Sequence, residues 1–157
     1  MASLAIIILL LDQITKLAVI LWLPRGQEWV ILDGFFKFVN WENTGAAWSM
    51  FSNNNFLLAL VSVAALGGLL YWRDRFETKT VLGQLCLGIV IGGIVGNLVD
   101  RLFRTHVVDF LRFFLYRRNG EEIGFPAFNV ADSAICVGVG VLVILSWVEE
   151  SRKTANA

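Results

Sequence analysis

The sequence predicts an all-α integral membrane protein with four transmembrane helices and a small β-rich loop domain resting on the membrane surface. Three observations carry that reading. Of 157 residues, 57% are hydrophobic and 17% charged, with a mean hydropathy of +0.67, more than a soluble domain of this length needs for its core. Four stretches approach the roughly 20 apolar residues that cross a bilayer at about 1.5 Å rise each. Between them lie two long segments in which aromatic and polar residues mix.

The first predicted helix, Leu4 to Leu23, is apolar but carries Asp12 and Lys16. Four residues apart, they share one helical face, neutralise each other and direct that face into a bundle. No basic stretch precedes this run, and no small-x-small site precedes Pro24-Arg25-Gly26, so it reads as a retained helix rather than a cleaved signal peptide. Helices two, three and four follow at Phe56 to Trp72, Val81 to Val99 and Ser133 to Val148, each free of charge. The third covers roughly 28 Å at helical rise.

The long segments are 24–55 and 100–132. In the first, Phe36-Lys37-Phe38-Val39-Asn40 alternates as a short strand does, and Trp29, Trp41 and Trp48 suit a membrane-water boundary. Asn43-Thr44-Gly45 reads as a turn, and it also fits the N-x-T glycosylation pattern. No repeat, low-complexity tract or linker divides the chain, so 1–157 is expected to form one unit. Lys and Arg do not orient it. Arg73, Arg75, Lys79, Arg152 and Lys153 lie on the side of the termini, against Arg25, Lys37, Arg101, Arg104, Arg112, Arg117 and Arg118 in the long loops.

Helix three places Gly88, Gly92 and Gly96 four residues apart, a smooth strip for a neighbouring helix. Asn97, Asp100 and Arg101 continue it, presenting an amide, a carboxylate and a guanidinium on one face. For Asp100 and Arg101 alone, an interfacial ion pair ending the helix is the simpler reading. Asp109 in "VVDF" and Asp132 in "FPAFNVADS" then flank the last membrane-length segment. Intramembrane acids need a partner, a proton or water, so a polar cluster around two carboxyls is the stronger reading. Asn129 and Asp132, three residues apart, also suit the cap of helix four.

Cys86 and Cys136 lack metal-site spacing and read as small buried apolar residues. A single histidine, His106, leaves no histidine triad or multi-histidine metal site, and it reads as a polar residue at the lipid interface.

In order and approximate spacing, "LDQITK", "NTGAAWS", "GGIVGNLVDR", "VVDF" and "FPAFNVADSAI" resemble the motifs of bacterial lipoprotein signal peptidases, the type II signal peptidases. The resemblance runs from about Asp12 to Ile135. It implies an aspartic endopeptidase of the bacterial cytoplasmic (inner) membrane, with cytoplasmic termini, an extracytoplasmic loop domain and a site near the outer leaflet. Its partners would be lipid-modified prolipoproteins and membrane lipids, without nucleic acid. It would act as a monomer, cutting before a diacylglyceryl-modified cysteine with no cofactor and no metal. The resemblance implies Asp109 and Asp132 as the catalytic pair. It sets Asn43 and Gly45 beside the substrate and Asn97, Arg101 and Asn129 around the pair, with Asp12, Lys16 and Asp100 in support.

The chemistry of two neighbouring carboxyls agrees, since one proton shared between them gives a general base and a hydrogen-bond donor in one site. The chain departs from the family pattern in two places: Trp48 stands where phenylalanine is expected, and the stretch from Asp109 to Asp132 is several residues longer, with Arg117-Arg118-Asn119-Gly120 as an exposed hairpin tip. The competing reading is a non-enzymatic membrane protein, either a proton or ion pathway through Asp12, Lys16, Asp109 and Asp132 or a structural scaffold. A transporter would more naturally show repeats or broken helices.

Overall fold

A computed structural model describes residues 1–45, 54–73 and 80–155. Four helices, α1 (Ala2–Trp22), α2 (Asn55–Tyr71), α3 (Val81–Phe103) and α4 (Val130–Ala155), alternate with strands β1 (Glu28–Leu32), β2 (Phe36–Asn43), β3 (Val107–Tyr116) and β4 (Glu122–Gly124). Trp48, Arg75 and Lys79 lie outside the described residues.

Helix α3 is central and packs against α1, α2 and α4. It starts at Thr80, whose side chain accepts the Gly83 amide at 3.0 Å, a conventional N-cap. Its glycines explain the closeness of the neighbours. A Cβ on Gly88, Gly92 or Gly96 would stand 2.6 Å from Met1 O, Ala5 O and Asp12 Oδ2 respectively. The strip therefore receives α1 along three turns. Gly93 does the same for α4, 2.6 Å from Ala131 O. Farther along, Cys86, Val90, Ile94 and Leu142 form a small apolar core.

The bundle buries charge beside that core and is broadly apolar outside. Asp12 and Lys16 are 0% exposed, whereas Trp22 is 80% and Phe56 77% exposed, the inverse of a soluble protein. Helices α1, α3 and α4 are long and apolar enough to cross a membrane, and α2, at 17 residues, is a shorter apolar helix. The chain is a multi-pass membrane protein.

Two helices outrun their apolar stretches. The third, expected to stop at Val99, continues to Phe103 because Asp100 and Arg104 pair one turn apart and Asp100 finds Lys16 on α1. The fourth begins at Val130 rather than Ser133 and runs through the polar turn where Lys153 pairs with Glu149 at 3.1 Å. Cys86 is buried as expected, but Cys136 is exposed, because it lies on the outward face of α4.

The four strands form one antiparallel sheet in the order β1-β2-β3-β4. The alternation at Phe36 to Asn40 belongs to β2. The second long loop contributes the ten-residue β3 and the short β4 to the sheet, strands that the sequence reading had not delimited. In β2–β3 the register sets Trp41 opposite Asp109 and Asn43 opposite Val107. The expected hairpin tip at Arg117 to Gly120 joins β3 to β4, closed by Arg117 N to Glu121 O at 2.9 Å, with Gly120 at φ +79°. It is tied down by Glu122, which accepts Lys37 at 2.7 Å and Arg112 at 2.8 Å. Lys37 also pairs with Glu28. Burial opposes its charge, yet Glu122 and Glu28 together hold its ammonium above the ordinary lysine value. Arg112 lies 4.3 Å over the Trp41 ring. Trp29, exposed on β1, is free to meet an interface.

Candidate active site

The chain returns to one place from both ends of the sheet-to-helix connection. β3 delivers Asp109, 3% exposed, and the first turn of α4 delivers Asp132, partly buried. Between them stands Asn129, which is fully buried. Its Oδ1 accepts the Asp132 amide at 2.9 Å, while its own amide donates to Asp132 Oδ2 at 3.2 Å. That is a reciprocal cap across the first turn of a helix. Its Nδ2 donates to Asp109 Oδ1 at 2.8 Å. The capping and polar-cluster readings are thus both true of one residue: the cap of α4 is also the bridge between two acids.

The other carboxyl oxygens are served as well. Asn43 Nδ2 donates to Asp109 Oδ2 at 2.8 Å, and Asn97 Nδ2 donates to Asp132 Oδ1 at 2.7 Å. Each amide is held facing inward by a donor on its own oxygen. Gly45 N donates to Asn43 Oδ1 at 2.9 Å, and Lys16 Nζ donates to Asn97 Oδ1 at 2.9 Å. Asn43-Thr44-Gly45 is therefore a turn, and Asn43 already spends its amide on Asp109.

A second polar layer lies beneath. Lys16 Nζ contacts Asp12 Oδ2 and Asp100 Oδ2, each at 2.8 Å, so its three donors are all used with Asn97. The two acids then reach the backbone beside the pair. Asp12 Oδ1 accepts the Ala131 amide at 2.9 Å, and Asp100 Oδ2 accepts the Val108 amide at 3.3 Å. Each grips the residue preceding one of the two site aspartates. An ion cluster at zero exposure persists because every charge is paired and hydrogen-bonded.

Burial first, and then the charge of Asp132, push the Asp109 carboxyl up to about 7, against hydrogen bonds from Asn43 and Asn129 and the charge of Lys16. An aspartic acid that holds its proton near neutrality beside a second carboxyl is equipped for general acid-base work.

Arg101 does not pair with Asp100, contrary to the simpler expectation. Asp100 takes Lys16 and Arg104 instead, and Arg101 donates to Gly45 O at 3.2 Å and Asn97 O at 3.4 Å. His106 faces Glu42 at 3.6 Å, away from the pair.

The signal peptidase (SPase) II family model matches residues 4–148. The chain belongs to that family. It is 38% identical over 152 residues to a lipoprotein signal peptidase of Symbiobacterium thermophilum, covering 97% of each chain. It is 33% identical over 150 residues to one from Anoxybacillus flavithermus, covering 96% of this chain and 86% of the relative. Among solved structures, a bacterial membrane enzyme determined by the in meso method at 2.3 Å resolution matches with a TM-score of 0.80 and 25% identity, over 95% of this chain and 87% of that one.

For a signal peptidase II, the arrangement brings together every residue expected at the site. Asn43, Gly45, Asn97, Arg101 and Asn129 surround Asp109 and Asp132, and Asp12, Lys16 and Asp100 form the layer below. Sequence reading missed Gln13 and Arg104. Gln13 Nε2 donates to Asp12 at 3.1 Å, Gly96 O at 3.1 Å and Asp100 at 3.2 Å, and its Oε1 accepts from Arg104 at 2.9 Å. Both lie one residue or one turn from a recognised acid, so the spacing rule that found Lys16 from Asp12 would have found Arg104 from Asp100.

Proposed function

We propose that this chain removes the signal peptide from prolipoproteins by aspartic catalysis at Asp109 and Asp132, cutting before a diacylglyceryl-modified cysteine. The observation that carries the reading is the bridge: one buried asparagine donates its side-chain amide to the Asp109 carboxyl and its backbone amide to the Asp132 carboxyl, two acids that reach it from different elements. The ionised carboxyl takes a proton from water as the water oxygen attacks the scissile carbonyl, and the protonated carboxyl hydrogen-bonds the carbonyl oxygen. The proton gained is then passed to the leaving amine as the C–N bond breaks. The chemistry needs neither metal nor cofactor.

Asn43, Gly45 and Arg101 face the substrate in this reading. Among the described residues Arg101 Nε is buried without a partner, a donor available to a peptide carbonyl. Asn97 and Asn129 orient the acids, while Asp12, Lys16 and Asp100 support them from below.

The whole chain, 1–157, acts as one unit with four spans, α2 included, in the bacterial cytoplasmic membrane. The termini are cytoplasmic and the sheet extracytoplasmic, so the pair lies near the outer leaflet. The reading is supported by Asp109 and Asp132 lying at the sheet end of α3 and α4, with the charged end of α4 opposite. The protein acts as a monomer in contact with membrane lipids, and a lipidated cysteine enters sideways between helices.

The test is cleavage of a diacylglyceryl-modified prolipoprotein by purified protein in lipid, beside Asp109→Asn and Asp132→Asn. Cleavage before the modified cysteine, lost in both folded variants, supports the reading. An inert parent that carries proton flux in liposomes, or full activity in either variant, refutes it.

A further inference from the structure

The two acids are symmetric in number of hydrogen bonds but not in kind. Asp109 receives two side-chain amides, from Asn43 and Asn129. Asp132, in the first turn of α4, receives the Asn129 backbone amide at the cap of that helix and the Asn97 side-chain amide. The start of a helix carries partial positive charge and favours an anion within its first turn. Asn97, in turn, is not an ordinary amide. Its oxygen accepts the Lys16 ammonium at 2.9 Å and the Asn129 amide at 3.3 Å. A cation on the carbonyl oxygen withdraws electron density from the nitrogen and makes its N–H groups stronger donors, as happens along hydrogen-bonded chains. It also forbids the flipped amide, which would turn an oxygen toward Asp132.

We propose that Lys16, acting through Asn97, makes Asp132 the ionised, water-activating member of the pair and leaves the shared proton on Asp109. This rests on the dyad reading above and assigns its two roles. Lys16 touches no substrate in this scheme. It is a positioning residue, 0% exposed, whose charge is relayed by one amide.

The charged groups facing Asp132 are Asp109 from β3, Lys16 and Asp12 from α1, and Arg101 from α3. Asp12 and Asp100 are neutralised by Lys16 and Arg104.

The proton accounting closes over one turnover. Asp132 takes a proton from water while the water oxygen bonds to the carbonyl carbon, and Asp109 gives its proton to the carbonyl oxygen. A tetrahedral diol results. The proton on Asp132 then goes to the amide nitrogen as the C–N bond breaks. One diol hydroxyl returns its proton to Asp109 as the new carboxyl group forms, restoring the starting state.

The test is the pH dependence of kcat/KM for the lipid-modified prolipoprotein in lipid. Its acid limb reports formation of the ionised base and its alkaline limb loss of the remaining proton. Asn97→Ala is expected to move the acid limb to higher pH by roughly one unit, the scale of a lost charge interaction, with the alkaline limb in place; Lys16→Met is expected to move the acid limb likewise and the alkaline limb upward as well, because the Lys16 charge also holds the Asp109 carboxyl down. Asn43→Ala, which removes a donor to Asp109 alone, is expected to move the alkaline limb upward and leave the acid limb. The opposite pattern overturns the assignment. So does a fall in rate with both limbs fixed in Lys16→Met and Asn97→Ala, which would mark Lys16 as scaffold only. If Lys16→Met does not fold, Asn97→Ala leaves the ion cluster intact, and its limb pattern against Asn43→Ala decides. Full cleavage by Asp109→Asn or Asp132→Asn would instead remove the dyad reading itself.

Discussion

Asn129 does two jobs that ordinarily fall to separate residues, and substitutions can separate them. In Asn129→Ala both the cap and the bridge to Asp109 are lost, and a cost of about 1–3 kcal/mol in stability is expected together with loss of cleavage. Asn129→Asp keeps an oxygen for the Asp132 amide but offers Asp109 a carboxylate in place of a donor. The expected result is a thermal midpoint nearer the parent than that of Asn129→Ala, with cleavage still lost; thermal melts and a prolipoprotein assay on the same samples check it. Asp109 also leaves a mark on stability. Its carboxyl sits at about 7 against 3.8 for an ordinary aspartate. Between those values the folded protein holds a proton the unfolded chain has released, so stability falls as pH rises through this window. Above it the penalty is complete, at most about 4 kcal/mol for a shift of roughly three units. Asp109→Asn should flatten that part of the curve in thermal melts taken from pH 4 to 8.

At the scale of elements, helix α3 was legible because its message is local. Glycines four residues apart need a partner helix, and α1 meets them at Met1, Ala5 and Asp12. Gly93→Ala would push a Cβ to 2.6 Å from the backbone oxygen of Ala131 and 2.8 Å from Ile135, displacing the start of α4. An overpacking cost of about 1–3 kcal/mol is expected, with reduced cleavage. Gly67→Ala meets nothing within 4 Å and should gain about 0.5–1 kcal/mol from helix propensity. Melting both variants in one detergent tests the contrast. Strand β3 was hidden for the opposite reason. "VVDFLRFFLY" has no clean alternation, since Val107 to Phe110 are buried in succession, and its partner Phe36–Asn43 is far away in sequence. The partners of Asp100 were misassigned because spacing along one helix cannot reveal that Lys16 arrives from another. The turn from α3 into β3 carries a second signal no pattern shows: Thr105 adopts φ +66°, a conformation that β-branched residues avoid.

At the scale of the whole molecule, the acids, amides and Arg101 gather at the end of the bundle where the sheet sits, and the charged tail of α4 lies at the other. The orientation proposed above predicts opposite labelling of those ends. With Cys86 and Cys136 replaced by alanine, Asn119→Cys at the exposed hairpin tip should react with a membrane-impermeant thiol reagent in intact cells. Thr154→Cys should react only after permeabilisation, and the reverse pattern would invert the topology. The length of α2 adds a consequence of a different kind. Its 17 residues cover about 26 Å at helical rise, short of a hydrocarbon layer about 30 Å thick, whereas α4 with 26 residues reaches about 39 Å and can tilt. In the four-span arrangement proposed above, a span too short for its surroundings thins the bilayer beside it. On the α2 side the lipid surface is then drawn in toward the protein, making membrane thickness a variable that sets how deep a lipid-anchored chain rides as it approaches.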